Sequence, residues 1–191
     1  LEQSRYEKLH WVGHSMGGIL LLCHCVTHGS HQIASGVAAA SGFDYSPAGS
    51  RYDLIVPLRK LGLMVRRVPA GLFSSAMSPF MGRVDNVFEQ SFYYPPNLSP
   101  DAARAIFREA HYDVSGEVLN QLASLFEPGG LRSRDRGTLY GDRASEINSP
   151  IQFIAGERDQ QCSPGVVAHN LALLDGEQHE IQYFGRSHGH T

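Results

Sequence analysis

The chain has 191 residues, of which 42% are hydrophobic, so it can bury a sizeable core and is neither disordered nor fibrous. Its 16 basic and 19 acidic residues are mixed along the sequence and leave a net charge of -3, which gives no electrostatic case for a nucleic-acid partner. The longest apolar run, around Leu20, falls well short of the ~18 residues of a membrane span, so no integral membrane span is expected.

The first element in chain order is the apolar run Leu9-His10-Trp11-Val12, followed at once by GHSMGG from Gly13 to Gly18 and then by Ile19-Leu20-Leu21-Leu22. This reads as strand, sharp turn and helix, a nucleophile elbow with Ser15 at its tip. Strand and helix nearly touch at such a turn, which explains the absence of side chains at Gly13 and Gly17; Gly18 tightens the packing further. A bare G-x-S-x-G match would arise by chance in roughly 6% of chains of this length. The flanks therefore carry the reading, because both must switch type within a few residues. The competing reading is a glycine-rich turn whose serine merely caps the helix.

The helix is predicted from about Ser15 to His28, apolar nearly all round and ended by Gly29. Cys23 and Cys25 stand two apart on it and cannot bridge each other, and with Cys162 they make an odd number. Buried free thiols are the expectation, which favours a reducing, cytoplasmic compartment. His24 and His28 share a helix face near His31, but no H-E-x-x-H glutamate accompanies them, and no metal site is expected. Ile33 to Ala40 reads as a second strand, ended by Ser41-Gly42.

From Phe43 to Asn148 the pattern changes to helical segments broken by Pro, Gly and Ser, without a convincing strand. One helix is predicted over about Pro57 to Val68. Another starts at Ser99-Pro100-Asp101 and continues to about Ala110, and a third covers about Gly116 to Phe126. Phe73, Met77, Phe80 and Met81 either line an apolar pocket or pack the insertion's own core. Arg132, Arg134 and Arg136 read as a solvated loop. After Pro150 the strand pattern returns with Ile151 to Ala155 and the turn Gly156-Glu157-Arg158-Asp159. A helix from about Pro164 to Leu174, a strand from Glu180 to Phe184 and the loop Gly185 to His190 complete the chain.

Ser15, Asp159 and His188 or His190 each fall just past the carboxyl end of a different predicted strand, where open α/β sheets gather their functional groups. Their order, serine then acid then histidine, together with GHSMGG, FIAGERD and QYFGRSHGH, resembles the α/β-hydrolase superfamily, and most of all its capped esterases and lipases. The resemblance covers nearly the whole chain. It implies a mostly parallel sheet with helices on both faces, with 1–42 and 149–191 as core and 43–148 as a helical cap insertion. It also implies that the N-terminal strands of the complete fold, and with them one oxyanion donor, are missing, so that the chain alone is at best weakly active.

The implied activity is that of a serine hydrolase acting on a small-molecule or lipid-like ester, without cofactor or metal. Ser15 would attack the acyl carbon while a histidine takes its proton. Asp159 would orient that histidine, and the Met16 N-H would supply one oxyanion donor. Asp44, after the second strand, is the alternative acid, and Glu157 is less well placed. The histidine is His188, His190 or a residue beyond Thr191. Thioester or amide hydrolysis on the same fold, and a non-catalytic binding protein, are the alternative functions.

Overall fold

The structure, a computed structural model, describes residues 6–46, 66–83, 87–90 and 92–189. Strand β1 is Leu9–His14, helix α1 is Met16–His28, and strand β2 is Ile33–Ala39. There follow β3 (Arg67–Val68), α2 (Ala70–Met77), α3 (Val87–Gln90), α4 (Pro100–Glu109), β4 (Val114–Ser115) and α5 (Gly116–Ala123). The chain closes with β5 (Ile151–Gly156), α6 (Pro164–Leu171) and β6 (Glu180–Phe184).

Contacts divide the chain into two compact units, Leu1–Asp53 with Ser124–Thr191, and Leu54–Ala123. The first holds a four-stranded sheet in the order β1-β2-β5-β6, parallel throughout. Parallel neighbours cannot be joined by a tight hairpin, so each connection crosses back through other structure, α1 between β1 and β2 and α6 between β5 and β6. The sheet therefore has layered cover. Leu21, Leu22 and Val26 of α1, Ile33 and Ala38 of β2, Ile151, Phe153 and Ala155 of β5, and Val166 and Val167 of α6 are all buried. Each large side chain among them contributes about 1.5–3 kcal/mol by leaving water.

β1 ends the strand order, and Val12 on it is 76% exposed. On α1, Met16 and Leu20 are exposed one turn apart, so this helix is not buried all round as its composition suggests. Gly29, which follows the helix and caps it, has φ 78 and ψ 162, a conformation that only glycine adopts readily but not the left-handed helical one.

Residues 124–148, which the sequence groups with the insertion, fold with the sheet-bearing unit. Leu131 N-H donates to Phe43 O at 2.7 Å, and Tyr45 N-H donates to Leu125 O at 2.9 Å. The helix predicted over Gly116 to Phe126 passes into a 3-10 turn at Ser124–Phe126.

The second unit centres on Met81, Ala103 and Phe107, with Met77, Tyr93 and Leu98 packed against them. Phe73 and Phe80 are 60% and 62% exposed, so only the two methionines of the predicted apolar quartet pack the unit's core. α4 starts as its sequence predicts: Ser99 Oγ accepts from Ala102 N-H at 3.2 Å, and Pro100 takes the first helical position. β3 and β4 form an antiparallel pair where no strand is expected, with Val68 opposite Val114. The helix predicted over Pro57 to Val68 lies outside the described residues up to 65, and its last two residues are strand. Val68 precedes Pro69, and the proline ring disfavours the helical conformation in the residue before it. Among the described residues, no helix is long and apolar enough to cross a membrane.

Candidate active site

Ser15 is the only residue between β1 and α1, and its backbone sits at φ 51, ψ -119. For a residue with a Cβ this is a sparsely populated region that costs about 1–3 kcal/mol, so the surroundings must hold it. Ser15 N-H donates to Ala39 O at 2.9 Å, tying the turn to the end of β2. Its carbonyl accepts from Gly18 N-H at 3.0 Å, Ile19 N-H at 3.1 Å and Ser41 Oγ-H at 2.7 Å. The hydroxyl makes no capping bond to α1, so this serine is not a helix cap, and its side chain stands exposed.

The glycines around it differ in what they do. A Cβ on Gly13 would lie 2.3 Å from Gly17 C and O, and one on Gly18 would lie 2.3 Å from Ser41 Oγ. At Gly17 an added Cβ meets nothing within 4 Å. The close approach of strand and helix therefore demands glycine at 13 and 18, and the steric argument does not hold at 17. Met16 occupies the first position of α1, where a backbone N-H has no intrahelical acceptor and points out of the helix start.

Asp159 sits in the turn after β5. Its Oδ1 accepts from Gln161 N-H at 2.8 Å and Cys162 N-H at 2.9 Å, while Oδ2 accepts no hydrogen bond among the described residues. Behind the turn Tyr45 and Cys162 are buried, at 6% and 2% exposure. Burial, then Cys162 and the charge of Asp159, hold the Tyr45 phenol well above its usual value, and burial pushes the Cys162 thiol up to about 12.

Glu157, two residues earlier, faces the loop after β6. Its backbone N-H donates to Phe184 O at 2.7 Å, and its Oε2 accepts from Ser187 N-H at 3.2 Å. Gly185 makes room for it, since a Cβ there would lie 2.0 Å from that oxygen. His188 is exposed on this loop, stacked on Tyr183 with ring centroids 5.3 Å apart and planes 21° apart. Its Nδ1 lies 2.9 Å from Ser187 Oγ. His190 lies outside the described residues. Among the described residues, no hydrogen bond joins Ser15, Asp159 and His188 to one another.

Asp44, the alternative acid, is 7% exposed and fully engaged elsewhere. Its Oδ1 accepts from Ser46 N-H at 2.8 Å and from the Ser46 hydroxyl at 2.6 Å, and its Oδ2 lies 3.2 Å from His169 Nε2 on α6. Asn170, fully buried beside it, accepts from Phe43 and Asp44 N-H groups and donates to Asp44 and Val166 carbonyls. Nothing in the sequence pattern marks Asn170, because a lone asparagine in an amphipathic helix reads as surface. Ser41 and Ser187 were equally hidden, because a serine's partners depend on which strands become neighbours, whereas Glu157 stands in the sequence as the less well placed acid.

Cys23 and Cys25 are free thiols, raised by burial to about 12 and about 11. The His24 ring lies 5.8 Å from Trp11 and 5.1 Å from His28. Its pKa is lowered, first by burial and then by His28 and His31. Among the described residues, no three His, Cys, Asp or Glu side chains converge on a metal position. Arg136 and Arg132 both pair with Glu127 in the loop after the 3-10 turn.

No protein-family model matches the chain, and no curated protein is similar to it. Solved structures are. A monoacylglycerol lipase from Paleococcus ferrophilus superposes with a TM-score of 0.57 at 20% identity, over 93% of this chain and 58% of that one. An esterase from Exiguobacterium antarcticum gives 0.53 at 17% identity, over 91% and 57%. A bromoperoxidase from Bacillus anthracis gives 0.59 at 16% identity, over 96% and 61%. The chain thus spans under two thirds of the length of the proteins it resembles in structure.

Proposed function

We propose that this chain, whose fold is that of the α/β-hydrolases, is a serine hydrolase that cleaves carboxylic esters through an acyl-enzyme intermediate, with Ser15 as nucleophile, His188 as base and Asp159 as acid. The observation that carries the reading is the backbone of Ser15, held at φ 51 in a turn that keeps its hydroxyl exposed and off the helix. Such strain persists only where the surroundings over-determine it, and it clusters at functional sites.

Ser15 Oγ attacks the acyl carbon as the histidine takes its proton. The carbonyl oxygen becomes an oxyanion and accepts from Met16 N-H. The intermediate collapses, the histidine returns the proton to the departing alcohol, and the acyl group stays on Ser15 until water removes it by the same route. Asp159 Oδ2 is the oxygen left to receive an imidazole N-H, because Oδ1 is held by two backbone donors. The cap role of the insertion is part of the same proposal. A lipid-like ester is favoured by Leu72, Phe73 and Phe80, which the second unit leaves exposed.

Hydrolysis of p-nitrophenyl esters of increasing acyl length tests this. Turnover that disappears in Ser15→Ala, with KM falling as the acyl chain lengthens, supports it; turnover unchanged in Ser15→Ala contradicts it. One observation favours a second reading, a non-catalytic ligand-binding protein: among the described residues, Ser15, Asp159 and His188 are not hydrogen-bonded together. That reading predicts ester binding without turnover.

A further inference from the structure

The two ends of α1 carry different chemistry. Ser15 stands before its first residue, whereas His24 and His28 lie in its last turns. Four residues apart on a helix, these histidines share one face, and their ring centroids approach to 5.1 Å with planes 40° apart. Two imidazoles that ligate one ion at about 2.0–2.1 Å, at an angle between square and tetrahedral, have ring centres about 4.5–5.5 Å apart. The pair therefore already stands at the separation of adjacent ligands on one ion.

The surroundings leave both rings available. Among the described residues, no hydrogen bond engages a ring nitrogen of either histidine. His28 is exposed, so ions in solution reach it, and half-buried His24 packs against Trp11 with ring centroids 5.8 Å apart, which restricts its orientation. α1 ends at His28, where the carbonyls of the last turn give the helix a partial negative charge that favours a cation.

The donor set selects the ion. Among the described residues, no third His, Cys, Asp or Glu converges with the pair, so water must complete the shell. Structural zinc takes four protein ligands and hydrolytic zinc three, and the glutamate of H-E-x-x-H is absent here, so this is neither. Calcium and magnesium take oxygen ligands. Two imidazoles with water suit the tetragonal nitrogen and oxygen shell of Cu²⁺, which is also the ion that nitrogen sites bind most tightly among the first-row divalent metals.

We propose that His24 and His28 form a surface site for a divalent transition-metal cation, Cu²⁺ before Ni²⁺ and Zn²⁺, at the end of α1 opposite Ser15. Neither histidine has a part in the hydrolase reading, so the two proposals stand or fall separately.

Trp11 is the single tryptophan of the chain, and its packing on His24 lets Cu²⁺ bound there quench its fluorescence. The test is titration of this chain with copper sulfate in a non-chelating buffer, read by that fluorescence. Saturable quenching at one Cu²⁺ per chain is expected, reversed by excess Zn²⁺ and not by Mg²⁺. His28→Gln, at an exposed position, should weaken binding by at least the roughly 10- to 100-fold that loss of a supporting partner costs a metal site. His24→Gln should do the same, and His10→Gln, whose Nδ1 lies 2.7 Å from Ser35 Oγ, should bind as the wild type does. Quenching that does not saturate, or that is equal in His28→Gln and the wild type, overturns the proposal. Unchanged circular dichroism separates ligand loss from unfolding. Pulsed electron paramagnetic resonance of the wild-type Cu²⁺ complex should show two coordinated imidazoles, and one or none overturns the proposal whether or not the variants fold.

Discussion

Ser41 Oγ donates a hydrogen bond to the carbonyl oxygen of Ser15 at 2.7 Å, bracing the elbow from the end of the neighbouring strand. Ser41 Oγ also lies 2.8 Å from Ala39 O, and Ser41 is fully buried. Removing the hydroxyl leaves both carbonyls their backbone donors, so the cost is that of one hydrogen bond, about 0.5–1.5 kcal/mol. Ser41→Ala is therefore expected to lower the denaturant midpoint and, by releasing Ser15, to slow its acylation. A midpoint and acylation rate equal to wild type would show that Ser41 does not brace the turn.

The three glycines of the elbow should respond differently. Gly13→Ala and Gly18→Ala place a methyl 2.3 Å from Gly17 backbone and Ser41 Oγ respectively, and each is expected to cost about 3 kcal/mol. Gly17→Ala meets open space in a helical position, where alanine is favoured over glycine by about 0.5–1 kcal/mol, so it should leave stability unchanged or raise it. Chemical denaturation of the three variants checks the order.

Much of this was legible in the sequence, and the reasons are local. β1, Ser15 and α1 announce themselves because a strand pattern and a helix pattern meet over three glycines, and the start of α4 is written in Ser99-Pro100-Asp101. Burial was less legible: α1 is apolar nearly all round, yet Met16 and Leu20 are exposed, because periodicity cannot say how many neighbours a helix has. Side-chain partnerships were the least legible. Glu157 looked worse placed than Asp159 by its distance from the strand end, whereas the pairing of β5 with β6 brings its carboxylate to Ser187. The tie between residues 124–148 and the sheet runs through backbone bonds to Phe43 and Tyr45, which carry no compositional signature.

Asn170 should be the most sensitive polar residue of the sheet-bearing unit. Its side chain makes four hydrogen bonds to buried backbone groups near Asp44 and α6. Asn170→Leu keeps the volume and leaves those groups unpaired, for an expected loss of about 3 kcal/mol or more. Urea unfolding gives the number. A loss below ~1 kcal/mol would mean that water replaces the amide.

His179 predicts a pH dependence. It is 8% exposed, accepts from Ile151 N-H at Nδ1 and lies 3.2 Å from Ile147 O at Nε2, so its neutral form fits and a second proton has no acceptor at Nδ1. Burial lowers its pKa from the ordinary 6.5. Between the lowered folded value and 6.5 the unfolded chain binds more protons, so stability rises with pH across that window and is lost as pH falls below 6.5. The drop in denaturant midpoint from about pH 7.5 to about pH 5.5 should be smaller in His179→Asn than in the wild type. An equal drop would assign the acid sensitivity to other groups.

The most direct measurement is covalent labelling of this chain by a fluorophosphonate probe, read by intact mass and by the modified peptide. The probe accumulates irreversibly, so even slow acylation registers. The account predicts one adduct, on Ser15, that is absent in Ser15→Ala and forms more slowly in His188→Gln. No adduct on the folded wild type, or an adduct that persists in Ser15→Ala, would contradict it.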